Sequence, residues 1–174
     1  MEDLSYPIGR FKPEVPLTQE KIDECIRDIE GAPAALARGV DGLSDSQLDT
    51  PYRPGGWTVR QVAHHLCDSH MNAFMRFKLA LTEEEPTIKP YSQALFAELP
   101  DAKAAPVSVS LTLLEGLHGR WATLLKSMKP DDFMKTYRHP ESGVQSLANV
   151  LQLYAWHGRH HVAQITSLRS RMGW

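Results

Sequence analysis

The chain has 174 residues, 42% of them hydrophobic and 23% charged, which predicts a single globular domain over residues 1–174 that buries its own core. Lys plus Arg number 19 and Asp plus Glu 21, with no basic block to neutralise phosphates, so we expect no nucleic-acid partner. Because no apolar run is long enough to span a bilayer and the first residues lack a signal-peptide pattern, we expect no membrane association and a cytoplasmic location.

Residues 1–17 differ from the rest of the chain. They hold three prolines and no periodic pattern, which predicts an extended arm whose apolar side chains pack on a helical region at 18–174. Thr18 is predicted to cap the first helix, whose apolar stripe continues to Leu43. Pro33 lies inside this stripe and predicts either a kink or a break in the helix.

The second helix is predicted from a capping box formed by Thr58 and Gln61, and it should end at Thr82. The connection that follows runs to Pro106, with one short helix expected after Ser92. A connection of this length within a small domain is typical of a crossover or a lid.

Two more helices complete the pattern. The third is expected to begin at Ser108 or Ser110, residues 131–145 are predicted to be loop, and the fourth is capped by Ser146 and ends before Gly173. Four long helices without a convincing strand predict an all-α fold, a four-helix bundle with a long crossover connection.

Two histidines occupy core positions of the fourth helix. Its apolar residues recur in steps of three and four, and His157 and His161 fill the two gaps in that stripe. Residues four apart lie about 40° apart around a helix, so both imidazoles should face the interior and could chelate one divalent ion. Gln164 lies one turn further on and could orient a ligand. The alternative is a pair of core histidines hydrogen-bonded to ordinary neighbours.

The second helix offers candidates for a third ligand. His64 points away from the apolar stripe, whereas helical phase does not decide between His65 and His70. Cys67 lies about 200° around the helix from His65, so these two side chains cannot bind one ion. Since Cys25 is the only other cysteine, we expect two packed thiols rather than a disulfide framework.

Five stretches, spread over nearly the whole chain, carry a family likeness. They are Leu4–Gly9, Gln47–Arg53, Trp57–Met71 (Trp-Thr-Val-Arg-Gln-Val-Ala-His-His-Leu-Cys-Asp-Ser-His-Met), Leu117–Trp121 and Trp156–Gln164 (Trp-His-Gly-Arg-His-His-Val-Ala-Gln). Together they resemble the DinB superfamily, and in particular its YfiT branch, long labelled metal-dependent hydrolases. The resemblance implies a DinB-like four-helix bundle with a three-histidine metal site, and it implies a homodimer.

The resemblance also implies which residues bind the ion. The family's first ligand is the histidine that precedes leucine in the second-helix motif, here His65, and the other two are His157 and His161. Three nitrogen ligands suit zinc, with nickel as a possible alternative. Position 158 is glycine rather than glutamate, so the His-Glu-x-x-His helix of zinc proteases is absent.

Three neutral histidines leave a divalent ion at least one open position, as in catalytic zinc sites. Zinc lowers the pKa of a bound water to about 7 and deprotonates a bound thiol. The resemblance favours a thiol S-transferase that joins a low-molecular-weight thiol of the bacillithiol type to an electrophile. The alternative is a metal-dependent hydrolase that activates water against a small-molecule substrate. A third possibility is a non-catalytic, metal-stabilised stress protein, which would need a fourth ligand from His160 or Gln164.

Several other histidines, one aspartate and three tryptophans are expected to have structural roles or to lie at the surface. The remaining histidines and one acidic residue are expected to be structural or surface groups: His70, His118, His139 and Asp68. Three tryptophans are expected in the core: Trp57, Trp121 and Trp156.

Overall fold

The computed structural model describes residues 3–174 and contains four long helices. These are α1 (Gln19–Val40), α3 (Val59–Thr82), α6 (Val107–Ser127) and α7 (Leu147–Met172). Helices α1 and α3 each pack against both α6 and α7. The predicted all-α four-helix bundle is therefore confirmed. Within the described residues, no helix combines the length and apolarity that crossing a membrane requires.

Short elements connect the long helices. They are α2 (Asp45–Leu48), α4 (Gln93–Ala97), α5 (Pro100–Ala104), a 3₁₀ turn (Pro130–Met134) and the strands β1 (Thr136–His139) and β2 (Gly143–Ser146). The connection between α3 and α6 thus holds two short helices rather than the single one expected. Both α4 and α5 pack on α3, so this connection is an ordered part of the fold.

The helix ends follow the capping residues of the sequence. The Thr18 side chain accepts a hydrogen bond at the start of α1, and the Ser146 side chain does the same for α7. Thr58 and Gln61 form the reciprocal capping box at the start of α3. Gly173 ends α7 with a φ of 71°, a left-handed conformation that glycine adopts without strain.

One predicted helix start and one predicted loop are wrong. Helix α6 begins at Val107, with Pro106 at the N-cap and no side-chain cap, and not at Ser108 or Ser110. Residues 131–145 are not simply loop, since β1 and β2 form an antiparallel hairpin in this region. Each strand has four residues, which is too short to show a clear alternation in the sequence.

Helix α1 continues through Pro33 without a break. Proline has no backbone N–H, so it cannot donate to the carbonyl four residues earlier, which belongs to Ile29. This carbonyl oxygen is therefore available to a donor from another element.

Two apolar clusters form the core. One surrounds Trp121 and Phe77, and the other surrounds Leu66 and Ile165. Six of the eight histidines are also buried: His64, His65, His70, His118, His160 and His161. Buried histidines need partners for their ring nitrogens, and those partners define the candidate site.

Candidate metal centre

The structure brings the three sequence-predicted ligands together. His65 projects from α3, and His157 and His161 project from successive turns of α7. One ring nitrogen from each lies within 4.8 Å of the other two. The Nε2 atoms of His157 and His161 are 3.2 Å apart. This geometry suits three ligands of one ion, and their binding of that ion stays a prediction.

An unpaired nitrogen supports a metal at this position. The Nε2 atom of His65 is buried and has no hydrogen-bond partner among the described residues. A buried polar atom without a partner costs about 1–3 kcal/mol, so such atoms usually mark a missing water or ion. A cation shared with His157 and His161 would satisfy this nitrogen, and the donor set therefore fits a divalent transition metal.

Gln164 determines how the ring of His161 is oriented. The Gln164 side-chain nitrogen donates to the backbone carbonyl of Ser5 at 3.2 Å, which fixes the orientation of the amide. Its Oε1 must then accept a hydrogen bond from Nδ1 of His161 at 2.8 Å. His161 consequently carries its proton on Nδ1 and presents a bare Nε2 to the cluster. Gln164 thus has the orienting role that its position in the sequence suggested.

Burial keeps the three rings neutral at pH 7. It lowers the pKa of His65 to about 4. Burial, reinforced by the neighbouring histidines, also lowers the pKa of His157 and of His161 well below the ordinary value of 6.5. Neutral imidazoles have the free lone pair that a metal ion needs, so the electrostatics agree with the geometry.

His70 and His118 lie directly behind the cluster. Nε2 of His70 is 3.2 Å from Nδ1 of His157, and Nδ1 of His70 is 2.9 Å from Nε2 of His118. Nδ1 of His118 in turn contacts the carbonyl oxygen of Ile29. Both histidines are structural groups, as expected, but His70 also contacts the candidate ligand His157, and His118 is linked to it through His70, which the sequence did not indicate.

The cluster opens into a cleft of about 720 Å³. Its walls are rich in aromatic side chains: Tyr6, Tyr52, Trp57, Tyr137, Tyr154 and Trp156. Trp57 packs against His65, and Trp156 stacks on His160. Trp57 and Trp156 are only half-buried and line the cleft, although Trp57 also packs on the apolar cluster around Leu66, as expected of a core residue. Trp121 is fully buried, as expected. The sequence alone does not show that one side of Trp57 and of Trp156 lines an open cleft.

The charged residues of the cleft are of one sign. Arg53 and Arg76 line it, and no lining residue within 3–174 is Asp or Glu. Neither arginine forms a salt bridge with a carboxylate of the described residues. The cleft is thus cationic in a chain whose net charge is −2.

The N-terminal arm covers one side of the site. Residues 3–18 contain no helix or strand. The Tyr6 ring lies 5.6 Å from the His160 ring, and Phe11 lies 5.9 Å from Trp156. Nε2 of His160 accepts a hydrogen bond from the Gln164 side-chain nitrogen at 3.0 Å. His160 lies beside the site, because it is about 100° around the helix from His161.

The remaining candidates lie elsewhere. His64 bonds to Ser110 at 2.7 Å and contacts the Ala105 carbonyl, so it points away from the cluster as predicted. Cys25 and Cys67 are free and buried, and burial raises the pKa of each thiol to about 11. Neither cysteine is a disulfide partner or an activated nucleophile.

The chain is similar to proteins of a known superfamily. The model of the DinB superfamily matches residues 28–165. A protein of Bacillus mycoides (strain KBAB4) is 59% identical over 174 residues, and one of Bacillus cereus (strain 03BB102) is 58% identical; both alignments span 100% of the two chains. Both relatives are provisionally named metal-dependent hydrolases.

Solved structures show the same fold. YfiT from Bacillus subtilis, described as a provisional metal-dependent hydrolase with an unusual four-helix bundle topology, matches with a TM-score of 0.96 and 52% identity over 98% of each chain. A second four-helix bundle protein matches with a TM-score of 0.60 and 19% identity, over 84% of this chain and 98% of that one, which supports the fold alone. The chain therefore belongs to the DinB superfamily.

Proposed function

We propose that the protein is a metal-dependent hydrolase in which His65, His157 and His161 hold one divalent transition metal ion. The observation that carries this proposal is the buried, unpaired Nε2 of His65, which faces two further imidazoles. The provisional names of the relatives support hydrolysis as the reaction. Three nitrogen ligands favour zinc, and nickel is the second choice.

A bound zinc ion would polarise a substrate oxygen and lower the pKa of a coordinated water or thiol. The chain's own residues supply the rest of the site. Aromatic side chains line the cleft, and Gln164 holds His161 in the tautomer that a ligand needs. Gln164 is already paired with Ser5 and His161, which speaks against it as a closing fourth ligand of a purely structural site.

Thiol S-transfer is the second candidate function, and one observation favours it. No carboxylate among the described residues lines the cleft, so activated water has no Asp or Glu to serve as its general base. A small thiol of the bacillithiol type needs no such base once its pKa is lowered. Because Cys25 and Cys67 are buried, the sulfur would come from a cosubstrate.

Metal analysis tests the shared part of both proposals. Protein purified without chelator should contain one transition metal ion per chain. Elemental analysis that finds no stoichiometric transition metal would overturn both functions.

Parallel activity assays separate the two functions. Metal-loaded and chelated protein are compared on a panel of esters and amides, and on monochlorobimane with bacillithiol, coenzyme A, cysteine or glutathione. We expect metal-dependent turnover that disappears in His157→Ala and survives in the control Cys67→Ala. Turnover of the ester or amide panel supports hydrolysis. Conjugation of a thiol without any such turnover replaces hydrolysis with S-transfer.

A further inference from the structure

Pro33 lies inside helix α1. In an α-helix the carbonyl of residue i accepts from the N–H of residue i+4. Pro33 has no N–H, so the carbonyl of Ile29 lacks its usual donor within the helix. Nδ1 of His118, from helix α6, makes the hydrogen bond to this oxygen. Since a carbonyl only accepts, Nδ1 of His118 must carry the proton.

The position of this proton determines which nitrogen carries the proton in His70 and in His157. A neutral imidazole has one N–H and one bare nitrogen, so Nε2 of His118 is bare. It accepts from Nδ1 of His70 at 2.9 Å, which leaves Nε2 of His70 bare. That nitrogen accepts from Nδ1 of His157 at 3.2 Å. The proton of His157 is therefore on Nδ1, and its Nε2 is bare.

We propose that Pro33 sets the tautomer of His157 by freeing the Ile29 carbonyl, and that His118 and His70 carry this assignment across the bundle. His70 and His118 are positioning residues for the metal ligand on α7. The inference rests on the three-histidine metal site of the proposed function.

The contact between the two α7 histidines supports the assignment. Nε2 of His157 and Nε2 of His161 are 3.2 Å apart, and both are bare once their Nδ1 protons are placed. Two lone pairs at this distance make no hydrogen bond, and a cation bound by both relieves their repulsion. Each ligand of α7 is thus aligned by a backbone carbonyl, Ser5 for His161 and Ile29 for His157.

Burial protects the hydrogen bonds that link His118, His70 and His157 from water. His70 is 0% exposed and His118 is 1% exposed, so water does not compete for their ring nitrogens. The stacked rings of His70 and His118, with centroids 4.9 Å apart, leave little freedom to rotate. Loss of one member therefore removes the only proton acceptor that the described residues offer to the next ring.

The first test changes Pro33, at the end of this hydrogen-bonded series that is farthest from the three-histidine cluster. Pro33→Ala supplies an N–H at position 33 that competes with His118 for the Ile29 carbonyl. Alanine is also the better helix former, so the metal-free variant should unfold at a higher temperature. We nevertheless expect its zinc affinity to fall roughly 10- to 100-fold, the usual effect of losing a partner that orients a ligand. Higher stability with weaker zinc binding is not what a merely structural role predicts.

Gly31→Ala is the matched control for Pro33→Ala. It also improves helix propensity in α1, and the added Cβ would meet no atom within 4 Å. It should raise stability and leave zinc affinity unchanged, as measured by competition with a chromogenic chelator. Unchanged zinc affinity in Pro33→Ala would overturn the role of Pro33.

The second test changes His118, which links the Ile29 carbonyl to His70. His118→Leu removes the acceptor for His70 and should lower zinc affinity by a similar factor. His118→Gln keeps a donor and an acceptor and should restore much of the affinity. His64→Leu is the control, because His64 is a buried histidine of α3 that contacts Ser110 and no candidate ligand. Equal zinc affinity in His118→Leu and His64→Leu would overturn the proposal.

A measurement on the unaltered chain needs no variant to fold. Two-bond ¹H–¹⁵N correlation spectra of the metal-free and zinc-loaded protein distinguish Nδ1–H from Nε2–H histidines. We expect Nδ1–H for His157, His70 and His118, and a proton on Nε2 of any of them would overturn the assignment. Zinc binding by His65→Ala separates this proposal from the proposed function. If His65→Ala binds zinc as well as the unaltered protein does, the three-histidine metal site itself is wrong, whatever the tautomers are.

Discussion

The histidines of this chain differ in what their ring nitrogens contact. His65 has a buried nitrogen with no partner, whereas His64 has a protein partner for each ring nitrogen. The two are adjacent in sequence and both are buried, so burial alone does not mark a ligand. An unpaired nitrogen that faces other bare nitrogens does, because only a cation satisfies all of them together.

Single substitutions of the three ligands test this distinction. His65→Ala, His157→Ala and His161→Ala should each abolish high-affinity zinc binding, because two remaining ligands hold an ion poorly. Each variant should still give the circular dichroism spectrum of a helical bundle. His64→Ala is the control and should bind zinc normally. Retention of stoichiometric zinc by any of the three ligand variants would contradict the assignment.

The sequence could predict the ligands but not their supports. The spacing of His157 and His161 on one helical face is local, so periodicity reveals it. The choice of His65 over His70 came from the family resemblance, since both lie where a helix could present them to the core. The contact of His70 with His118 joins α3 to α6, and only tertiary structure brings those two helices together. Pro33 was a local signal, because a proline inside a helix always frees one carbonyl.

The N-terminal arm contributes to the candidate metal site. The Ser5 carbonyl accepts from Gln164, which in turn accepts from His161. The arm also places Tyr6 against His160 at the cleft. A segment without helix or strand therefore helps to hold one ligand on α7.

Removal of the arm's first part should weaken metal binding. A chain that begins after Gly9 lacks Ser5, so Gln164 loses the contact that fixes its amide orientation. We expect zinc affinity to fall roughly 10-fold while helix content stays constant. Phe11→Ala is the control, because Phe11 packs on Trp156 and has no bond to Gln164. Equal zinc affinity in the truncated chain and in Phe11→Ala would show that the arm does not support His161.

Helix α3 also carries a side chain suited to substrate binding. Arg76 lines the cleft, and it has no carboxylate partner within residues 3–174. Arg76→Gln should raise KM for substrates that carry a carboxylate and leave kcat nearly unchanged, since it removes binding shared by ground state and transition state. Arg120→Gln is the control, because Arg120 lies over Phe74 and does not line the cleft. An equal change of KM for neutral substrates would argue against a charge effect.

The helices were more predictable than the segments between them. Capping residues and apolar stripes mark α1, α3 and α7 within the sequence itself. The β1–β2 hairpin depends on pairing between two four-residue strands and on Gly143, whose φ is 75°. Its partner contacts are tertiary, because the Arg138 backbone bonds to Pro86 and Ile88 in the connection after α3. No pattern within 131–145 could indicate those bonds.

Two apolar clusters hold the four-helix bundle together. The clusters around Trp121 and around Leu66 draw on all four long helices. Burial of that apolar surface stabilises the fold without a metal ion. Chelation should therefore lower the melting temperature but leave a folded bundle.

The buried histidines make the metal-free bundle sensitive to acid. Burial lowers the pKa of His65 and of His118 to about 4, whereas an unfolded histidine titrates near 6.5. Between these two values the unfolded chain binds protons that the folded chain does not, so stability falls as pH falls below about 6.5. Each such histidine contributes at most about 1.4 kcal/mol per pH unit.

Urea unfolding of the chelated protein at pH 7.5 and pH 5.5 measures this effect. The pair His65 and His118 alone should lower the free energy of unfolding by roughly 3 kcal/mol between these values. Asp28 and Asp68, whose pKa burial raises, act in the opposite direction, because the folded protein binds their protons more readily than the unfolded chain does. His118→Gln removes one titrating ring and should reduce the pH dependence by about 1.4 kcal/mol. Stability that is constant or rises on acidification would mean that the buried rings are not neutral in the folded protein.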